Sequence, residues 1–382
     1  MATYYVSQDS GNDSNVGSAG APWKTLSHAF YEAGYTGGGG GHSNAIVISD
    51  SATYSVTNDY VSGISDNTSN QIYADTNWLP SPFTIMAESG KKPILDGGHV
   101  ADFAIAAYDD WTIQGITFRK FGSTRSAHYA IKERTSRRYS TVLDCTIHAI
   151  TGTAIFLTKA STRIERCTIY DCLEKGIYGY EWFHVKNNII YDCGSNAIYG
   201  GTGGTYADVH AYNVCEHNTV YNCPASGSTS GSRQYAIYTA NAKFNIVADA
   251  SCTIAGMRGN ARSTPATTYN CVSGTYDHAG NHTPVNYYRS STGTGDIETD
   301  PLFTDKTGYD FTLSSTSSPC STSAVGSTAI EDNLSGSREW TFTAAVLGND
   351  SYNTKDMGAL EYQNTGVNGV DTLVLNKVND AS

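Results

Sequence analysis

The chain has 382 residues, and only 16% of them are charged, against roughly 25% in an ordinary soluble domain, which excludes a charged helical bundle or a coiled coil. Its net charge of −12 argues against a nucleic-acid partner, which calls for a basic surface, and no apolar run approaches the ~18 residues of a membrane span. Isoleucine (24) outnumbers leucine (13), and tyrosine alone supplies 27 residues beside 11 Phe and 5 Trp; such side chains suit pleated strands.

In chain order, the start Met1-Ala2-Thr3-Tyr4-Tyr5 lacks the basic and apolar regions of a secretory signal. Lys24 to Tyr35 places Leu26, Ala29, Phe30 and Ala33 on one helical face, with Thr25 as its N-cap. This helix is expected to plug the end of the first coil, and Gly37 to Gly41 link it to the strand Ile46-Val47-Ile48. A repeat follows. Cys145-Thr146-Ile147-His148 recurs at Cys167, Asn188, Asn218 and Asn245, and in phase with it run Ala130-Ile131, Ala154-Ile155, Gly176-Ile177, Ala197-Ile198 and Ala236-Ile237. No single period can bury its own apolar face; stacking the periods buries the isoleucines in one row and pairs each backbone with the coils above and below. The fold expected is an all-β parallel β-helix with a short N-terminal capping helix. Its parts are residues 1–45 as cap, 46–298 as coils, 299–362 as a final irregular coil and 363–382 as tail. The longer offsets mark loops leaving the barrel, chiefly Gly200 to Arg233.

These residues resemble the pectin-lyase-like right-handed parallel β-helix superfamily. The resemblance rests on Tyr4-Tyr5-Val6 with Asp9 to Asn15, Pro22-Trp23-Lys24-Thr25-Leu26, Thr84 to Ala87, Pro93 to Gly97 and Trp111 to Phe118. It continues in Asp300-Pro301-Leu302-Phe303, Asp310 to Leu313 and Asp356 to Tyr362. It implies the fold over about residues 3 to 362. That superfamily includes lyases, hydrolases, epimerases, phage tailspikes and adhesins, so activity has to be argued from a site. The Asn-Thr-Asp and Gly-His-Gly motifs of the polygalacturonase-type hydrolases and the Asp-Pro-His-Asp motif of the mannuronan epimerases are absent.

If the isoleucines face inward, Lys132, Phe156, Tyr178, Tyr199 and Tyr238 face out from successive coils. Aromatic rings on an exposed sheet suit the apolar faces of sugars; a ladder that only stabilises the sheet is the plainer reading. Seven cations lie between Arg119 and Arg138 (Arg119, Lys120, Arg125, Lys132, Arg134, Arg137, Arg138), with Glu133 the one acid among them. They suit uronate or sulfate groups, or simply form a solvated face. In a lyase, a neutralised carboxylate makes the neighbouring carbon acidic enough for Lys132, Tyr178 or Tyr180 to take its proton. The expected catalytic residues are Lys132, Arg134, Tyr180 and Glu181, the last beside His184; Phe156, Tyr178, Tyr199, Tyr238, Arg137 and Lys159 are expected to bind substrate.

Asp171, Asp192 and Asn222 stack in the repeat and read as turn residues in preference to a glycosidase pair. Cys172, Cys193 and Cys223 also stack, as do Cys145 and Cys167, and are expected to be buried free thiols. No cofactor is identified, and calcium has no assignable loop. The leading expectation is a carbohydrate-active β-helix that binds, and cleaves by β-elimination, an acidic polysaccharide or cell-surface glycan. The others are a virion tailspike or capsid decoration, expected as a homotrimer, and a non-catalytic adhesin; all are expected outside the cell or on a virion surface.

Overall fold

The computed structural model describes residues 2–33, 44–55, 83–107, 111–122, 128–133, 140–158, 162–180, 183–200, 213–224, 235–239, 241–252, 255–258, 267–268, 270–275, 285–288, 296–314 and 318–320. A representative coil is Trp111–Gln114, Thr117–Arg119 and Tyr129–Glu133, after which Thr141–Leu143 begins the next. The three strands of each coil join three different sheets, of ten, nine and eight described strands, called here the first, second and third. Within them every pairing is parallel and in register, so the chain is a parallel β-helix, as Ile131↔Ile155, Ile155↔Ile177, Ile177↔Ile198 and Ile198↔Ile237 illustrate. Those isoleucines are at most 3% exposed. They form the core row read from the repeat.

The corners explain the rest of the repeat. Between the first and second sheets one left-handed residue turns the chain: Gly115, Asp144, Arg166, Asn187, His217 and Phe244, with φ between 52° and 73°. A second column, Lys120, Ala149, Asp171, Asp192, Asn222 and Asp249, turns it toward the third sheet. Side chains at such angles cost free energy, and the ladder offsets it: Asp144 N donates to Glu165 O at 3.1 Å and Asn222 N to Ala248 O at 3.1 Å. Just inside the first corner, Asn188, Asn218, Asn245 and Asn270 are 0% exposed. Each donates its side-chain amide to the residue one coil on: Asn188 to Asn218 (2.9 Å), Asn218 to Asn245 (2.9 Å), Asn245 to Asn270 (3.0 Å) and Asn270 to Asp296 (3.3 Å). Cys145 and Cys167 take the equivalent places in earlier coils, so the motif changes from Cys to Asn along the stack.

The N-terminal helix is Leu26–Tyr31, shorter than the expected span, with Thr25 Oγ1 accepting from His28 N. Leu26, Ala29, Phe30 and Ala33 are buried as expected, and Phe30 meets Phe83 at 5.9 Å between ring centroids. Asp13 fixes the start of the helix by accepting from Lys24 N, Thr25 N and Thr25 Oγ1.

Two expectations are corrected. Gly200 to Arg233 is not one loop, because Val214–Glu216 and Thr219–Tyr221 within it join the first and second sheets; residues 201–212 and 225–234 lie outside the described residues. The segment expected as a last irregular coil contains an antiparallel hairpin, Phe303–Asp305 with Asp310–Leu313. It folds back on the second sheet, where Tyr309 and Phe311 meet Tyr191 at 4.6 and 5.5 Å, and Phe311 meets Tyr221 at 5.3 Å. Lys306 Nζ anchors it to Asp249 at 2.8 Å. The glycine link 37–41 and the tail 363–382 lie outside the described residues.

Candidate functional site

The three sheets present different outer surfaces. On the first, charges compensate one another: Glu165, Lys186, Glu216 and Lys243 follow in register, Arg163 forks onto Glu165, and Arg166 binds Asp144 at 2.6 and 2.8 Å. On the second, His148, Tyr170 and Tyr191 stack face to face at 4.7 and 4.9 Å with interplanar angles of 5° and 0°, so their faces are used up on one another, and the hairpin covers the end of the row. The third carries the row read from the sequence.

There Lys132, Phe156, Tyr178, Tyr199 and Tyr238 take successive register positions. The rings meet edge to face: Phe156 with Tyr178 at 5.2 Å and 66°, Tyr178 with Tyr199 at 5.2 Å and 80°, Tyr199 with Tyr238 at 5.1 Å and 61°. The surface is therefore not a flat platform. Tyr129 stacks on Phe156 at 4.8 Å, and Tyr180 packs against Phe156 and Tyr178 at 5.8 and 5.0 Å. All of these rings except Tyr238 are half-buried.

Two ammonium groups sit among them. Lys132 Nζ lies 5.4 Å from the centre of the Tyr129 ring, and Lys175 Nζ lies 5.1 and 5.7 Å from those of Tyr178 and Tyr199, within cation–π reach. Burial pushes the Lys175 ammonium below its ordinary value, against the upward pull of Glu174. Burial first, then the Tyr180 hydrogen bond and charge, hold the Tyr178 phenol well above its ordinary value, and burial followed by Glu174 raises Tyr129. Both shifts favour the neutral, hydrogen-donating phenol and work against Tyr178 as a proton-abstracting base.

The expected site is thus partly assembled. Lys132, Phe156, Tyr178, Tyr180 and Tyr199 come together. Tyr238 continues the row but is 9% exposed, packed on Tyr199 and Tyr235, so it supports the row from beneath its end. Arg134, Arg137, Lys159 and Glu181 lie outside the described residues, as do Arg125 and Arg138. Among the described residues of the basic stretch, Arg119 belongs to the second sheet and is paired with Asp96 at 2.7 Å, Lys120 occupies a corner, and Lys132 lies on the third sheet. His184 pairs with Arg163 in the first sheet, away from the row. Asp171 and Asp192 are corner residues, and Asn222 donates to Asp192 at 2.6 Å, as the turn reading requires.

Lys175, Glu174 and Tyr129 were not singled out from the sequence. Lys175 directly precedes the repeated Gly176-Ile177, where a corner residue carries no periodic signal; adjacency to the row was the only clue. The order of strands also favours the third sheet: long connections separate its strand Ile198–Gly200 from Val214–Glu216 and its strand Tyr235–Tyr238 from Thr219–Tyr221, while the first corner takes two residues in these coils. Connections of this kind tend to carry function. Among the described residues, no group of three or more His, Cys, Asp or Glu stands ready to hold a metal ion, and no helix is long and apolar enough to cross a membrane.

The family model described as "Right handed beta helix region" matches residues 34–210 and 94–251, together more than half of the chain. Comparison with curated proteins gives no match. Solved structures similar to the chain include a GH136 lacto-N-biosidase from Eubacterium ramulus, at 10% identity over 78% of this chain and 68% of that one, with a TM-score of 0.42. A pectin methylesterase from Aspergillus niger is similar at 11% identity, 82% and 94% coverage and a TM-score of 0.42. A pectate lyase, Pel9A, is similar at 12% identity, 95% and 97% coverage and a TM-score of 0.41.

Proposed function

We propose that this chain, which belongs to the right-handed β-helix family, binds an acidic polysaccharide along the outer face of its third sheet and cleaves it by β-elimination. The observation that carries this reading is the pair of ammonium groups, Lys132 and Lys175, seated over an otherwise aromatic row. Rings offer apolar contact to sugar faces, and the cations select chains that carry carboxylates. Lys132 neutralises the carboxylate of the bound uronate, which acidifies the carbon beside it. Lys175, lowered by burial, takes the proton from that carbon in its neutral form. The electron pair becomes a carbon–carbon double bond as the glycosidic C–O bond breaks, and Tyr180 returns a proton to the departing oxygen.

The test is a panel of uronate polysaccharides, with calcium or with chelator, followed by the ultraviolet absorbance of the unsaturated product. Product from at least one polymer is expected; neither retention nor product across the panel would overturn the proposal. A glycan-binding surface without turnover is the second reading, favoured by the phenols of Tyr129 and Tyr178 held in their protonated form, and retention without product selects it. Light scattering separates both from a virion spike, for which a trimer is expected.

A further inference from the structure

The second corner holds three cysteines that the proposed function does not use. Cys172, Cys193 and Cys223 each follow a left-handed corner residue, Asp171, Asp192 or Asn222, on successive coils. All three are free and at most 2% exposed. Their vertical adjacency is visible in the backbone: Gly194 N donates to Cys172 O at 2.8 Å, and Cys193 N donates to Cys223 Sγ at 3.2 Å. Cys193 lies between the two neighbouring thiols, and each of the three sulfurs donates to a backbone carbonyl: Cys172 to Tyr170 O at 3.5 Å, Cys193 to Tyr191 O at 3.6 Å and Cys223 to Ile190 O at 3.9 Å. Strands one coil apart are separated by ~4.8 Å, inside the Cα range of a disulfide, whereas two coils exceed the ~7 Å beyond which a bridge needs backbone movement.

We propose that Cys193 is a covalent cross-linking site, at which a disulfide to one vertical neighbour, Cys172 or Cys223, joins successive coils. Cys193 is the obligatory partner, because Cys172 and Cys223 are two coils apart and cannot reach each other. The column makes one bond at a time and leaves one thiol. The neighbouring thiols, Cys172 first and then Cys223, lower the Cys193 thiol against the effect of burial, while burial pushes both neighbours well up. The attacking group is the central thiol, which alone neighbours both others. With a diazene oxidant such as diamide, the Cys193 sulfur adds to the N=N bond and the neighbour's sulfur then displaces the reagent. The S–S bond forms as the two thiols give up two protons and two electrons, and the reagent leaves as the hydrazine. With a small disulfide as oxidant, the same exchange releases two thiols.

The experiment treats the full chain natively with diamide, and in parallel refolds it in a glutathione redox buffer so that access to the buried column does not limit the reaction. Each sample is quenched in acid, unfolded, alkylated and peptide-mapped. A cross-linked peptide containing Cys193 and either Cys172 or Cys223 is expected, with the third thiol alkylated. In Cys193→Ala, Cys172 and Cys223 should both be alkylated; in Cys172→Ala, Cys193 should bond to Cys223 alone. Cys145 and Cys167, the other stacked pair, are mapped separately. Cys193 fully alkylated after both treatments overturns the proposal, as does a Cys172–Cys223 bond in Cys193→Ala.

Discussion

Asn218 is 0% exposed, and its side-chain amide donates to Asn245 Oδ1, Val185 O and Glu216 O while its Oδ1 accepts from Asn188 N and Asn188 Nδ2. Replacing it with leucine strands several of these partners away from water, at roughly 1–3 kcal/mol per buried orphan before relaxation. We expect Asn218→Leu to lose about 2–5 kcal/mol of unfolding free energy in a denaturant titration; a loss below about 0.5 kcal/mol, the ordinary range of a surface change, would show the ladder to be idle. On the third sheet, Lys175→Met should lower turnover by about 10²-fold or more, the usual contribution of a general base, while leaving more of polymer retention than Tyr178→Ala or Tyr199→Ala does. Because burial lowers Lys175, its neutral form grows in below the ordinary 10.5. The rate should therefore rise with pH toward that lowered value and level off, and Lys175→Arg should abolish the rise. Retention unchanged in both tyrosine variants would return the row to a purely structural ladder.

At the scale of elements, the hairpin of residues 303–313 rests on aromatic contacts and two titrating anchors. The Asp192 hydrogen bond raises Tyr309 to about 12, with burial next, and the Asp249 hydrogen bond raises Lys306. Both groups have folded values above their unfolded ones. Their contribution is thus fully present below the ordinary values of 10.0 and 10.5 and is lost as pH rises through the folded ones. We expect hydrogen exchange at Phe311 and Leu313 to accelerate in that alkaline window relative to the strands of the third sheet; Tyr309→Phe with Lys306→Met should be fast already at neutral pH. The N-terminal helix was legible from Thr25 and the spacing of Leu26, Ala29, Phe30 and Ala33, because capping and amphipathic periodicity are local. The hairpin was not: Tyr309 and Phe311 find Tyr191 and Tyr221 about a hundred residues earlier in the chain, and no local pattern encodes that return.

For the whole molecule, stability is distributed along the stack, since each coil contacts only its neighbours. Ile177, 0% exposed and paired with Ile155 and Ile198, is central to it. Ile177→Ala should cost about 2–5 kcal/mol, the range for a large-to-small change in a packed core. Its denaturation should broaden if the two halves of the stack then separate, and an unchanged slope would show that the coils melt as one unit. The net charge of −12 describes the whole chain but not the third sheet, where the two lysines stand among rings.

The sequence by itself determined the coil, the inner isoleucine row, the register of the outward row and the corner character of Asp171 and Asp192. All of these repeat along the chain, and a repeat makes every local preference visible several times over. Only the tertiary structure decided which outward residues share a surface. It separated Arg119 from Lys132 by placing them on different sheets, buried Tyr238, and brought Lys175 onto Tyr178 and Tyr199. These outcomes depend on how far the chain turns at each corner and on what the neighbouring coil presents there. Distance along the chain does not measure that; separation by one coil, ~4.8 Å, does.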